Sequence, residues 1–307
     1  MNSAPASTYA ISDPIAVAPA LPDVLPAPKQ RGRVMRFVHR HPTIAAGGVL
    51  LGVMVFIAIF APLLGTVDPT ALNPIGRLRD PSMKHLFGTD MLGRDIYSRT
   101  LYGARVSLTV GFAVALLSSA AGMLIGLVAG FIRWADAVLM RIMDGMMSIP
   151  AILLAIALMA LTRGSVVNVI ISITISQIPQ VARLVRGVVL TLRDQPFVEA
   201  AIAAGTRTHT IIRRHILPNT LAPITVQATY ICASAMIIEA ILSFIGAGTP
   251  PIVPSWGNIM SEGRALWQVK PYIVFFPAAF LSVTVLAVNL LGDGLRDALD
   301  PRLAKRL

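Results

Sequence analysis

The sequence predicts an all-α integral membrane protein with six transmembrane helices, and two observations carry that expectation. Of the 307 residues, 55% are hydrophobic and only 13% charged, with a mean hydropathy of +0.72. Soluble domains carry about a quarter charged residues, so this balance belongs to a chain that lives in lipid. Apolar runs near the ~20 residues that cross a bilayer then recur six times, at about 44–65, 106–131, 145–161, 166–182, 221–246 and 272–291. The net charge of +11 does not point to nucleic acid, because the basic residues flank apolar runs and set membrane orientation instead. The single cysteine, Cys232, lies inside an apolar run, which excludes an internal disulfide and reads as a small buried hydrophobe.

Residues 1–43 form a tail that is Ala/Pro-rich up to Pro28 and basic from Arg31 to His41, RGRVMRFVHRH. Its Ala/Pro part has little to bury and is expected to be disordered. The run from Thr43 to Gly65 is too long for a signal-peptide core, so it reads as a retained first span. That span and a long outer loop make up 44–104. A core with five spans occupies 105–295, with a cytosolic loop at 194–218, and 296–307 form a cytosolic C-terminal tail. The second span carries Gly103, Ser107, Gly111, Ala115 and Ser119, then Gly122, Gly126 and Gly130, in a spacing that lets another helix approach closely. The seam packs either within the bundle or against a partner subunit. The third and fourth spans are short and joined at Thr162–Ser165, which predicts a helical hairpin. Pro150, Pro179, Pro223 and Pro277 are expected near span ends, where lost backbone bonds are easily replaced.

With the N-terminus inside, the inner segments hold 17 of the 26 Lys and Arg residues, six of them in 183–220. The outer segments hold nine, six of which lie in the long loop 66–105, where they count least. Both termini and the stretch Glu199–Pro218, EAAIAAGTRTHTIIRRHILP, are therefore placed in the cytosol. Pro196 opens a helix with Asp194 near its capping position, and Glu199 falls in the first turn, where a carboxylate meets the positive end of the dipole. Ala200, Ala201, Ala203 and Ala204 make a slim helix that can enter a groove on another protein. Gly205 permits a turn. A second helical stretch follows, with Ile211, Ile212, Ile216 and Leu217 on one side and Arg207, Arg213 and Arg214 nearby, and Pro218 ends it. An amphipathic helix lying on the inner leaflet is the plainer alternative. No G-x-x-x-x-G-K-[ST] occurs in the chain, so a docking element without its own phosphate loop points to a transporter subunit driven by a separate ATPase.

Other residues carry two readings. The loop 66–104 exceeds the usual length of a structureless connection. It holds Asp90, Arg94, Asp95 and Arg99, either as an outer lid or docking edge or as a self-satisfied ion network, with Asp95 and Arg99 spaced to pair. Glu239, inside the fifth span, either lines a translocation path or pairs with an arginine. Arg141 and Asp144 read as a local pair. Trp256 and Trp267 fit the outer interface belt, and Trp256 alternatively helps close an outer gate. No catalytic or metal site is visible: the five histidines lack zinc-site spacing and no serine stands in G-x-S-x-G.

The pattern EAA-x3-G-x9-x-x-LP, carried by Glu199, Ala200, Ala201, Gly205, Leu217 and Pro218, resembles the signature loop of binding-protein-dependent ABC importer permeases. His215 stands where that family usually has an apolar residue. GTDMLGRDIYSRTLYGARVSL (88–108), GAGTPPIVPSWGNIM (246–260) and RHILPN (214–219) resemble the C-type subunit of the dipeptide, oligopeptide and nickel branch. The resemblance covers roughly 40–307. It implies the type I importer permease fold and a multi-pass subunit of the bacterial inner membrane. It implies alternating access and a homologous permease as heterodimer partner, together with two ATP-binding subunits and an extracytoplasmic solute-binding protein. ATP and Mg would be held by the partner subunits, with no cofactor in this chain and no enzymatic step. Peptide cargo is implied, with nickel chelates, glutathione or glycans as alternatives. A secondary transporter working alone is the rival class, and it calls for paired intramembrane charges and broken helices.

Overall fold

The computed structural model describes residues 41–162 and 164–299. The readings for the tail before His41, for Arg163 in the third-to-fourth-span turn and for the chain after Leu299 lie outside the described residues. Within them the chain is helical, without strands, and carries one isolated bridge between Thr89 and Asp95. Helix α1 (Pro42–Phe60) starts on Pro42 and continues as a 3-10 turn, Ala61–Leu63. Helix α2 (Ile96–Phe131) is capped by the Asp95 carboxylate, which accepts the Ser98 N–H. Its 36 residues rise ~54 Å, well beyond the ~30 Å hydrocarbon core, so its ends stand outside the lipid.

The third predicted span departs from expectation. In place of a single helix at 145–161, the chain forms α3 (Arg133–Met147) and α4 (Ala151–Ala160), bent by 89°. Pro150 explains the break, because it disfavours helical backbone at Ile149. The ten apolar residues of α4 reach only ~15 Å, half the ~30 Å core. Among the described residues, five helices are long and apolar enough to cross a membrane, and the count is six if the bent pair is one span. The predicted contact between third and fourth spans holds, since α4 packs on α5 (Val166–Arg193).

Helix α5 also overruns its predicted end at 182. Arg183 and Arg186 remain helical because α3 supplies their partners. Asp144 pairs with Arg183 at 2.5 Å, and Asp136 takes Arg186 through two bonds of 2.5 and 2.7 Å. Arg141 is therefore not the partner of Asp144. Pro179 consequently lies mid-helix instead of near a span end. Arg193 closes the far end of α2 by donating to the Gly130 carbonyl at 3.2 Å.

The chain then forms α6 (Pro196–Ala203) and α7 (Thr208–Ile211), followed by a π-helical turn, Ile212–Ile216. The turn runs directly into α8 (Leu217–Phe244). Pro218 does not end the second stretch as expected. It occupies the first turn of α8, where its missing N–H costs nothing, and the π register before it carries the helix through. Helices α9 (Trp256–Gly263) and α10 (Tyr272–Leu299) complete the bundle.

The glycine seam is internal. Gly122, Gly126 and Gly130 face Val181, Val185 and Val189 of α5, all fully buried. A Cβ on Gly122 would lie 2.4 Å from the Val181 side chain, and one on Gly126 would lie 2.6 Å from the Ala182 carbonyl. Hydrogen at these positions is what allows the two backbones to meet. Helix α8 packs on the other side of α2, with Met236 and Cys232 against Gly111, and α10 lies between α8 and α1.

Candidate functional site

The residues singled out in the sequence gather at opposite ends of the bundle. Helix α2 links them, with Asp95 at its start and the Gly130–Arg193 contact at its finish.

At the Arg193 end, α6 protrudes as a short exposed helix. Gln195, not Asp194, holds its N-cap position without a side-chain capping bond; Asp194 instead ends α5. Pro196 sits in the first turn as expected, with Glu199. Val198 is fully buried and anchors the helix to the bundle, while Glu199, Ala200, Ile202, Ala203 and Ala204 are exposed. Gly205 has φ +74°, a left-handed conformation that only glycine adopts without strain. Its N–H bonds the Ile202 carbonyl at 2.9 Å, and the Thr206 N–H reaches back to Ala201 at 3.1 Å. This pair of bonds is a Schellman motif and satisfies the carbonyls left over at the helix end. Beyond the turn, Ile211 and Ile216 are buried in the same core as Val198, so both arms of the bend are fixed. Arg213, Arg214 and Pro218 are exposed and Leu217 is partly so. The result is a rigid elbow that presents an alanine ridge with basic residues beside it. Phe197 and Ile202 are also exposed on α6, 43% and 58%, so the alanines stand beside two apolar side chains, a surface that a groove on another protein can cover. An amphipathic helix resting on lipid would instead expose its isoleucines, and here two of them are buried.

At the other end, the long loop is folded, and the network reading of its charges holds. Asp90 accepts the N–H groups of Leu92 and Arg94 at 2.8 and 2.9 Å with one oxygen. Its other oxygen takes Arg94 Nε at 2.7 Å and Arg99 Nη1 at 2.6 Å. Both guanidinium groups also bind Glu262 of α9, Arg99 through bonds of 2.6 and 3.1 Å. Two acids and two bases thus cancel, with Arg99 only 1% exposed. Asp95 and Arg99 do not pair as their spacing predicted. Asp95 is already engaged by Ser98 and by His85 Nδ1 at 3.0 Å. Glu262, more than 160 residues away in sequence, gave no local signal of its role.

Trp256 does not belong to an interface belt. It is fully buried at the start of α9, and its indole donates to the Thr100 carbonyl at 3.0 Å, locking the last outer loop onto α2. Trp267 is 59% exposed, as the belt reading expects. Glu239 is fully buried and pairs with no arginine among the described residues. It accepts from the hydroxyls of Ser243 at 2.8 Å and Ser107 at 3.3 Å. With no exposed surface it lines no cavity wall, so both readings open in the sequence give way to a buried hydroxyl-bound carboxyl. Polar residues that the spans' apolar character obscured, Gln177, Gln180, Tyr230, Ser234 and Asn289, line a cavity of about 460 Å³ in the bundle.

Residues 122–305 match the family described as "binding-protein-dependent transport system inner membrane component". A probable peptide ABC transporter permease of Sinorhizobium fredii is 49% identical over 90% of this chain and 95% of its own length. A glutathione transport system permease of Pectobacterium atrosepticum is 42% identical over 87% and 89% of the two chains. Among solved structures, a chain of the methionine ABC transporter MetNI in an inward-facing conformation superposes with a TM-score of 0.55. It is 20% identical, covering 66% of this chain and 96% of the other, which supports the fold. The helical bundle and these relationships together place the chain in the family of binding-protein-dependent inner membrane transport components, the permease subunits of ABC importers.

Proposed function

We propose that this chain translocates di- and oligopeptides across the bacterial inner membrane by alternating access. ATP hydrolysis would occur in two partner subunits that hold the nucleotide and Mg, and an extracytoplasmic binding protein would deliver the cargo. The observation that carries the mechanism is the elbow at Pro196–Pro218. An exposed alanine ridge, a glycine-locked turn and two buried anchors make a part that can transmit force from an external motor into α8. Glu199, Ala200, Ala201, Gly205, Arg213, Arg214, Leu217 and Pro218 are the residues assigned to that coupling. Closure of the ATPase dimer would move α6, and the continuous helix Thr208–Phe244 would carry the motion to mid-membrane.

The elbow belongs to the cytosolic side on the charge distribution of the sequence, with both termini on the same side. The second permease of a heterodimer would complete the path. Asp90, Arg94, Asp95 and Trp256 are assigned to the outer face, where their locked network shapes the surface offered to the binding protein. Peptide cargo is supported by the Sinorhizobium relative, and glutathione, itself a modified tripeptide, by the Pectobacterium one.

The test is reconstitution of the purified complex in proteoliposomes with its binding protein. ATP-dependent uptake of labelled di- and tripeptides, unaffected by ionophores, is the expected result. Uptake by this chain alone on an ion gradient would sink the proposal. Uptake of a nickel chelate or a glycan in preference to peptides would retain the mechanism and replace the cargo.

A further inference from the structure

We propose that the polar wall formed by Gln177, Gln180, Ser234 and Asn289 is this chain's share of the translocation path. In this assignment the Tyr230–Asp293 pair is the partition at its elbow-side end. The inference deepens the proposed function and rests on it.

Gln177 and Gln180 sit at the middle of α5, Ser234 and Tyr230 at the middle of α8, and Asn289 just beyond the middle of α10. Arg183 follows Gln180 by three residues and Asp293 follows Asn289 by four, so these side chains stand one turn inside the charged, elbow-side ends of their spans. A carboxamide facing hydrocarbon there would leave its donors and acceptors unmatched. Gln180 is nevertheless exposed on this chain, and the others line the same 460 Å³ cavity, which lies within the size range of small-molecule sites. Gln177 spans from α5 to α8 by donating to Ser234 at 3.4 Å, so the wall is held together as one surface. Pro150, at the α3–α4 break, reaches the same cavity, so the interrupted third span ends at the wall. Broken helices at membrane depth occur where they line a cavity and not where they face lipid.

The lining is mixed: Ile152, Ile237 and Ile238 are among its apolar members, and two glutamines, an asparagine, a serine and a tyrosine are its polar ones, with no formal charge among the lining residues. Carboxamides and hydroxyls both donate and accept, so they match the amide groups of a peptide backbone in either direction. They neither require nor repel a charged side chain. Such a wall conducts amide-rich solutes of varied sequence and leaves discrimination to another component.

A second cavity, of about 420 Å³, is lined by residues nearer the elbow along α8, among them Pro223, Val226, Gln227 and Tyr230, and by Arg296. Tyr230 borders both cavities, and its hydroxyl donates to the Asp293 carboxylate at 2.5 Å. Tyr230 also bonds Arg296, a lining residue of the second cavity, and as the side chain common to both linings it is the partition of this assignment. It stands on the helix that begins in the elbow, so movement of the elbow acts on the partition directly.

The test uses thiol accessibility in the assembled complex, read on this chain after it is resolved from its partners, in a Cys232→Ala background that removes its own cysteine. Gln180→Cys, Ser234→Cys and the control Leu116→Cys are labelled with a charged, membrane-impermeant methanethiosulfonate. Leu116 is 71% exposed on an apolar face of α2. Labelling of Gln180→Cys and Ser234→Cys at least tenfold faster than the control, with loss of ATP-driven uptake, is expected. Adding Tyr230→Phe should raise labelling of Ser234→Cys by reagent applied from the elbow side. Reactivity no greater than the Leu116 control, in a complex that imports peptide before labelling, overturns the assignment and leaves the proposed function standing. A complex that shows no ATP-driven uptake before labelling overturns the function itself, and the path with it.

Discussion

Replacing Gly205 separates the geometry of the elbow from its composition. The residue has φ +74°, and a Cβ built there meets nothing within 4 Å. Alanine at this site therefore suffers backbone strain and no clash. The left-handed conformation costs an L-residue about 1–2 kcal/mol, which lowers the population of the locked turn by a factor of about 5–30. Asparagine, which tolerates this conformation, should cost less. Proline, fixed near −65°, excludes the turn altogether and removes the N–H that bonds Ile202 at 2.9 Å. Peptide-stimulated ATPase activity and uptake should fall in the order glycine, asparagine, alanine, proline. Recovery of the assembled complex and its thermal unfolding should stay near wild type for asparagine and alanine, because Val198, Ile211 and Ile216 still anchor both arms. Equal activity across the four residues would refute the elbow as a rigid lever. Loss of assembly in the alanine variant would show that the turn serves folding instead.

Three further outcomes follow from the packing. Asp90→Ala leaves Arg99 buried with only part of its counter-charge, and removing one member of a buried network costs about 3–5 kcal/mol; thermal unfolding should drop sharply, and Asp90→Ala combined with Arg99→Met should lose less than the two singles summed. Gly126→Ala forces a methyl onto the Ala182 carbonyl and Val185, at about 1–3 kcal/mol for overpacking. Gly187→Ala, with open space around its Cβ, should instead stabilise by about 0.5–1 kcal/mol, and unfolding of the purified complex in detergent reads both. Glu239→Gln keeps an acceptor for the Ser243 hydroxyl, so it should preserve both folding and peptide uptake, whereas a fall in uptake without loss of stability would return Glu239 to the transport path.

What was legible in the sequence follows the range of the interactions involved. The spans rest on local apolar composition, and each predicted run falls on helix, but α2 begins ten residues before 106, α5 and α10 run past 182 and 291, and the third span is broken. The elbow was legible because its signals are local: a proline at the first turn, a carboxylate behind it, and a glycine where the backbone reverses. The seam was legible as a pattern, but its partner was not, because nothing in 122–130 names the valines of α5. Two misreadings share one cause. Arg183 and Arg186 looked like the start of a loop, and Asp144 looked like the mate of Arg141, because the contact of α3 with α5 is set by the fold. Ion partners more than 160 residues apart, such as Arg99 and Glu262, are invisible to spacing rules. Pro150 was noted as a harmless span-end proline, yet its effect on Ile149 bends the third span by 89°. The polar wall was hidden because isolated Gln, Ser and Asn residues barely lower the hydropathy of their spans.

The most direct test of the account is a cross-link between the elbow and the motor. Ala200→Cys and Ala203→Cys, both exposed on α6, would be introduced in the Cys232→Ala background, labelled with benzophenone-maleimide and photolysed, so that the thiol end fixes to this chain and the photoreactive end inserts into whatever lies against it. The expected product joins this chain to an ATP-binding subunit, changes in yield between nucleotide-free and ATP-bound states, and blocks peptide uptake when formed. A complex that imports peptide while neither position ever links to an ATPase subunit would contradict the claim that this segment is where the chain is driven.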